Sequence, residues 1–184
     1  MQKKENQRIA LTRRLLQEGL LRLLATEKLE DISVTALCKE AGINRATFYN
    51  HYTSPQALLA EMEADLVFKL QSHFDHSGTL ESVVERTEQC LIVLKENAAL
   101  FQILAAYHAD RDLEHLVEQV VKHYDEHRLN LQKTKFDPDV VHLVSSYLYA
   151  GCYNLIREWL VRDIDKTPRE VAELLVSIVS KDYL

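Results

Sequence analysis

The chain has 184 residues, 47% of them hydrophobic, with 4 Gly, 3 Pro, 3 Cys and a formal net charge of −6. That balance excludes a disordered chain, supplies ample core material and favours long uninterrupted helices. No apolar run approaches the roughly 18 residues of a membrane span, and no apolar stretch follows Met1–Asn6 as a secretory signal requires.

In chain order, a first helix is predicted over about 6–25, with Ile9, Leu15, Leu16, Leu20, Leu23 and Leu24 as its apolar stripe. Ser33 is placed to cap a second helix, on which Val34, Leu37 and Cys38 recur at helical spacing. Gly42 then supplies a tight turn, and Asn44 caps a third helix running to Tyr52. Ser54-Pro55 opens a fourth helix to about Asp75. After a break at His76–Thr79, helices follow over about 80–96, 98–107, 110–133, 137–161 and from Thr167-Pro168 onward. The reading is all-α, with about nine helices, divided into an N-terminal three-helix domain (1–54) and a helical body (55–184).

Residues 34–52, VTALCKEAGINRATFYNHY, have the form of a helix–turn–helix: two short helices, a small residue at the turn and an apolar face to fix their angle. Phe48 and Tyr52, four apart, can face inward, leaving Arg45, Thr47, Tyr49, Asn50 and His51 as outward donors and stacking groups. Arg45 suits either the O6 and N7 acceptors of guanine or a phosphate. Thr47 suits a thymine methyl or a phosphate, and Asn50 an adenine or the domain itself.

The stretch Ile9–Glu61 resembles the N-terminal domain of the TetR family of transcriptional regulators, whose pattern runs "T…IA…AG(V/I)…(T/S)FY.HF..K..L". The matching residues are Thr12, Thr35–Ile43, Thr47-Phe48-Tyr49-Asn50-His51-Tyr52 and Ser54–Leu59. The resemblance implies DNA contacts from Thr12, Thr35, Lys39, Asn44, Arg45, Thr47, Tyr49, Asn50 and His51, with Tyr49 and His51 directed to the backbone. Pro55 stands near where the family has a phosphate-binding Lys, and it cannot donate. The family further implies a homodimer, a palindromic double-stranded operator, a small-molecule effector and repression in the cytoplasm, with no cofactor. Alternatives are a ligand-independent helical DNA- or partner-binding dimer and a metal-responsive repressor.

Charge is divided along the chain. Residues 1–52 carry 9 Lys and Arg against 6 Asp and Glu, and the remainder 13 against 22, giving a basic head and an acidic body. That concentrates phosphate attraction at one end.

In the body, Phe68, Cys90, Leu94, Phe101, Leu104, Tyr107, Tyr124 and Tyr147 are candidates for an apolar effector pocket. The helices over 137–161 and 167 onward are apolar on more than one face, which suggests a partner. Tyr147, Gly151, Leu155, Trp159, Leu174, Leu175 and Ile178 are the expected two-fold interface. His115, His123 and His127 have metal-compatible spacing but no demonstrable third ligand type nearby, so no metal site is assigned. Scattered Cys38, Cys90 and Cys152 fit free thiols. No phosphate-binding Gly-rich loop, nucleophile elbow or His-Glu-x-x-His motif is present, so no enzyme is expected.

Overall fold

Every helix start but one that is visible in side-chain detail is closed by a residue whose chemistry was readable beforehand. The computed structural model describes residues 2–72, 80–106 and 137–181. Among these are eight α-helices and no strand: α1 (Gln2–Leu24), α2 (Val34–Ala41), α3 (Arg45–Tyr49), α4 (Pro55–Gln71), α5 (Leu80–Glu96), α6 (Ala98–Ala106), α7 (Pro138–Val161) and α8 (Pro168–Lys181). The helix expected over 110–133 lies outside the described residues.

The Ala36 N–H donates to Ser33 Oγ, Thr47 N–H to Asn44 Oδ1, Ala57 N–H to Ser54 Oγ and Asp139 N–H to Asp137 Oδ1, at 2.7–3.2 Å. Each bond satisfies one of the donors that a helix start leaves orphaned. At α8 the arrangement is reciprocal: Thr167 N–H donates to Glu170 Oε2 at 2.8 Å and Glu170 N–H to Thr167 Oγ1 at 3.2 Å, a capping box with Pro168 in the first turn.

The chain forms two compact units, Met1–Leu66 and Val67–Leu184. The sequence predicts a boundary at 54/55, whereas the first compact unit keeps the opening turns of α4. Leu58, Leu59, Met62 and Leu66 are all buried, and that apolar face is why those turns stay with the head. In the same unit Leu16, Leu20 and Leu24 form the buried stripe of α1. Between them Gly19 admits α2: a Cβ there would lie 3.1 Å from Ala41 Cβ. A single 3-10 turn, Leu29–Asp31, joins α1 to α2.

In the second unit α5 packs along α8, and α6 against α7. Val83, Val84, Cys90, Leu91 and Leu94 of α5 are buried, as are Val171, Ala172, Leu175 and Val176 of α8. Arg169 reaches Glu88 at 3.3 Å across this pair. Gln102 of α6 donates to the Leu160 carbonyl at 3.0 Å, and the Phe101 and Tyr153 rings sit 6.5 Å apart. Trp159 is 3% exposed. Its Nε1–H donates to the Lys166 carbonyl at 3.0 Å, and Lys95 Nζ stands 5.2 Å from the ring centroid. The indole therefore fixes the turn between α7 and α8, where Asp163 takes a φ of 47°.

The Glu170 carboxyl is held at about 2, chiefly by the Lys166 ammonium and then by the Thr167 amide and hydroxyl. A carboxylate depressed in the folded state adds stability that is complete above its ordinary value of 4.5 and fades as pH falls toward about 2. Glu170→Ala is expected to unfold at lower denaturant than wild type at pH 7, and the gap should close across that acid window. Paired denaturant titrations at several pH values check this.

Candidate nucleic-acid interface

The helix–turn–helix is built by a handover between backbone conformations. α2 ends where Gly42 takes a φ of +67°, a left-handed conformation that glycine enters without penalty. The Ile43 N–H then donates to the Cys38 carbonyl at 2.9 Å and the Gly42 N–H to the Lys39 carbonyl at 3.3 Å, which closes the helix end. Asn44 starts α3 at once. Leu37, Cys38 and Ala41 of α2 and Phe48 of α3 are buried, and they set the angle between the two helices.

α3 is shorter than the sequence predicts. It closes at Tyr49; Asn50 is its C-cap, and the His51 and Tyr52 N–H groups share the Phe48 carbonyl at 2.9 Å. Asn50 and His51 therefore sit in a turn after the helix rather than on it. Phe48 and Tyr52 face inward as expected, at 0% and 4% exposed.

The outer surface carries Thr35, Lys39, Asn44, Arg45, Tyr49 and Asn50 exposed, with Thr47 and His51 half-buried. Thr12 differs. It is buried, because it lies on the stripe of α1 that continues to Leu16 and Leu20. Asn44 accepts the cap bond on its Oδ1, which leaves its Nδ2 amide as the donor free to reach outward. The Tyr49 ring meets Phe48 edge-on at 5.6 Å, which steadies the exposed phenol.

Charge on this surface is selective. Three arginines of α1 are paired: Arg13 with Glu61, Arg14 with Glu18 and Arg22 with Glu40. Lys39 and Arg45 make no ion pair with any described residue, and both are exposed, so the helix pair keeps two unneutralised cations at its surface. The Arg45 guanidinium lies close enough to α2 to oppose the burial that raises the Cys38 thiol above its ordinary range.

One pair of residues escaped sequence reasoning. The Tyr52 hydroxyl donates to Glu61 Oε1 on α4 at 2.7 Å, and Arg13 Nη1 of α1 stands 3.7 Å from the same oxygen. The available signal was Tyr52 itself, where the family pattern has Phe: a phenol in a core position needs an acceptor.

The remaining candidates fall elsewhere. Cys90, Leu94, Phe101 and Leu104 are buried in the second unit, and burial pushes the Cys90 thiol up to about 12. Phe68 and Tyr147, expected to line the same pocket, are instead 72% and 71% exposed, because they lie on the outer faces of α4 and α7. Tyr107 and Tyr124 lie outside the described residues, as do His115, His123 and His127. Among the described residues no group of three His, Cys, Asp or Glu could hold a metal ion. Of the expected interface, Tyr147, Gly151, Leu174 and Ile178 are exposed and Leu155 is half-buried. Trp159 and Leu175 turn inward instead, Trp159 because its indole N–H finds the Lys166 carbonyl and Leu175 because its face of α8 is the one laid on α5.

Comparison with known proteins decides the class. Residues 16–62 match the family model for bacterial regulatory proteins of the tetR family. Residues 81–181, more than half of the chain, match its model for a transcriptional regulator C-terminal region. The chain belongs to the TetR family. Regulators of this family are DNA-binding transcription factors and not enzymes, and the N-terminal unit of this one is its DNA-binding part. The HTH-type transcriptional regulator EthR of Mycolicibacterium smegmatis is 43% identical over 56 residues, which is 30% of this chain and 26% of that protein. The match thus spans about a quarter of that relative's length. Three solved structures share the fold of this TetR-family chain. One, described as a TetR-family transcriptional regulator of Syntrophomonas wolfei, has a TM-score of 0.68 at 18% identity, covering 94% of both chains. The dihydroxyacetone kinase operon activator DhaS has a TM-score of 0.63 at 17% identity, covering 94% of this chain and 96% of its own. A transcriptional regulator of Aquifex aeolicus has a TM-score of 0.63 at 17% identity, covering 92% and 98%.

The turn at Gly42 yields a clean test of the site's architecture. A Cβ there would meet nothing within 4 Å, so the only penalty for a side chain is the left-handed backbone. Gly42→Ala is expected to destabilise the head by about 1–2 kcal/mol, and Gly42→Asn by less, since Asn tolerates that conformation. Thermal or denaturant unfolding of the two variants ranks them.

Proposed function

We propose that this TetR-family regulator is a homodimeric repressor that reads a palindromic operator through α3 and is released by a small-molecule effector. The carrying observation is the exposed set Lys39, Arg45 and Tyr49, with Thr47 half-buried beside it, on a helix pair whose other face is fully committed to the core. Phosphate contacts position such a helix and base-edge contacts give it sequence preference. Arg45, exposed at the first position of α3, is the residue assigned to a base edge. Thr35, Lys39, Tyr49 and His51 are assigned to the backbone.

Dimerisation is supported by apolar surface left uncovered on two consecutive helices. Val140, Leu143 and Tyr147 of α7 are 45%, 68% and 71% exposed, and Leu174 and Ile178 of α8 are 48% and 40% exposed. Spacings of three and four residues put each set on one helix face. Gly151, one turn beyond Tyr147, has no described neighbour outside its own helix backbone within 4 Å of where a Cβ would lie. A face of this kind fits the isologous contact of a two-fold dimer. Two heads so related would enter successive major grooves about 34–36 Å apart. Effector release follows from a population shift, limited by the effector's differential affinity for the two states. The apolar interior around Cys90, Leu94, Phe101 and Leu104 is the region assigned to that effector. No described helix is long and apolar enough to cross a membrane, and the cytoplasm is the proposed location.

The reading is tested by selecting duplexes from a random pool and measuring variants on the product. Arg45→Ala is expected to lose about 1–3 kcal/mol of specific binding and to relax preference at one base pair per half-site. Lys39→Ala should weaken all duplexes alike and reduce the salt slope by about 1. An unchanged base preference in Arg45→Ala would reassign it to the backbone. Because no described residue of another element crowds Gly151, Gly151→Leu should leave the subunit folded yet weaken the dimer. Sedimentation at micromolar concentration reads this, and a monomeric wild type would refute the paired-head mechanism.

A further inference from the structure

The three-residue junction Arg13–Glu61–Tyr52 ties together three elements of the head. Tyr52 stands just past α3. Its N–H donates to the Phe48 carbonyl at 2.9 Å, and its ring lies 5.9 Å from that of Phe48. Phe48, at 0% exposed, is the buried anchor of α3. At its other end the Tyr52 hydroxyl donates to Glu61 Oε1 on α4 at 2.7 Å, and the Arg13 guanidinium of α1 stands 3.7 Å from that oxygen. A hydrogen bond to a carboxylate is shorter and roughly twice as strong as one between neutral groups, and it is directional. Burial and the bond to Glu61 raise the Tyr52 phenol above its ordinary range, so it remains a donor throughout neutral pH.

We propose that Glu61 is a positioning residue for DNA reading: with its carboxylate steadied by Arg13, it holds the Tyr52 hydroxyl and so fixes the angle at which α3 presents Arg45 and its neighbours. This rests on the DNA-reading assignment of the preceding subsection. The placement has a mechanical consequence. α3 is five residues long and has no second turn of its own to resist tilting. α4 is a continuous helix of 17 residues, so a small rotation of α4 about its axis carries the Glu61 carboxylate away from the phenol. Base-edge contacts need donor and acceptor within a few tenths of an ångström, whereas attraction to phosphates tolerates a tilt. Loss of the junction is therefore expected to affect discrimination more than general affinity.

The test uses the full chain and two probes: the duplex recovered by wild type from a random pool, and a scrambled duplex of equal length. Tyr52→Phe removes one hydroxyl and keeps the core ring. Glu61→Gln keeps an acceptor but removes the charge that Arg13 faces. Thermal unfolding of each variant confirms that it is folded at the assay temperature. The expected result is a fall of roughly tenfold in selected-duplex affinity for Tyr52→Phe, a smaller fall for Glu61→Gln, and scrambled-duplex affinity within about twofold of wild type. The Tyr52→Phe/Glu61→Gln double variant should fall no further than Tyr52→Phe alone, since the hydroxyl that Glu61 holds is already gone. Lowered melting temperatures with an unchanged ratio of selected to scrambled affinity would make the junction a stabilising contact only and overturn the proposal. A wild type that enriches no duplex at all would instead overturn the DNA-reading assignment, and the proposal with it.

Discussion

A helix of five residues cannot stand alone in water, because nucleation fixes several residues before any backbone bond repays it. α3 exists because Phe48 is wholly buried and because both ends of the helix are held from outside its own turn. Asn44 satisfies its start, the shared Phe48 carbonyl closes its end, and Gly42 delivers the chain to it at the required angle. The burial of one aromatic ring thus conditions every outward-facing group of the interface. The head commits buried faces of α1, α2 and the first turns of α4 to its core alongside Phe48.

The second unit solves a different problem. Its helices carry more apolar residues than one interior can absorb. α8 lays Val171, Ala172, Leu175 and Val176 inward and leaves Leu174 and Ile178 outside. α7 does likewise, with Leu148, Tyr153, Trp159 and Leu160 in and Leu143 and Tyr147 out. Interior and exterior apolar sets alternate around the same helices, so each set can be occupied without disturbing the other.

Much of this was legible in the residues. Ser33, Asn44, Ser54, Asp137 and Thr167 announced helix starts because few side chains can serve orphaned amides, and Gly42 announced a left-handed turn. The inward pair Phe48 and Tyr52 followed from four-residue spacing. Three things were not legible. Periodicity shows that a helix has two apolar faces but not which one meets its own subunit, so the inward position of Trp159 and Leu175 is not readable from it. The end of α3 depends on backbone bonds that no side chain advertises, so Asn50 and His51 were placed on the helix. The junction at Glu61 joins residues nine apart in sequence across a turn, a relation that neither helical nor strand spacing encodes.

Trp159 is the single tryptophan of the chain. Enclosed between the Lys95 ammonium and the Lys166 carbonyl, it emits from one well-defined environment in the second unit, and the head contributes no indole signal at all. Tryptophan fluorescence is therefore a reporter of the α7–α8 turn alone. Events confined to the first unit, including loss of α3, pass silently by that probe and register only in the tyrosines or the far-ultraviolet spectrum. The two units can accordingly be followed separately in one sample, with no label introduced.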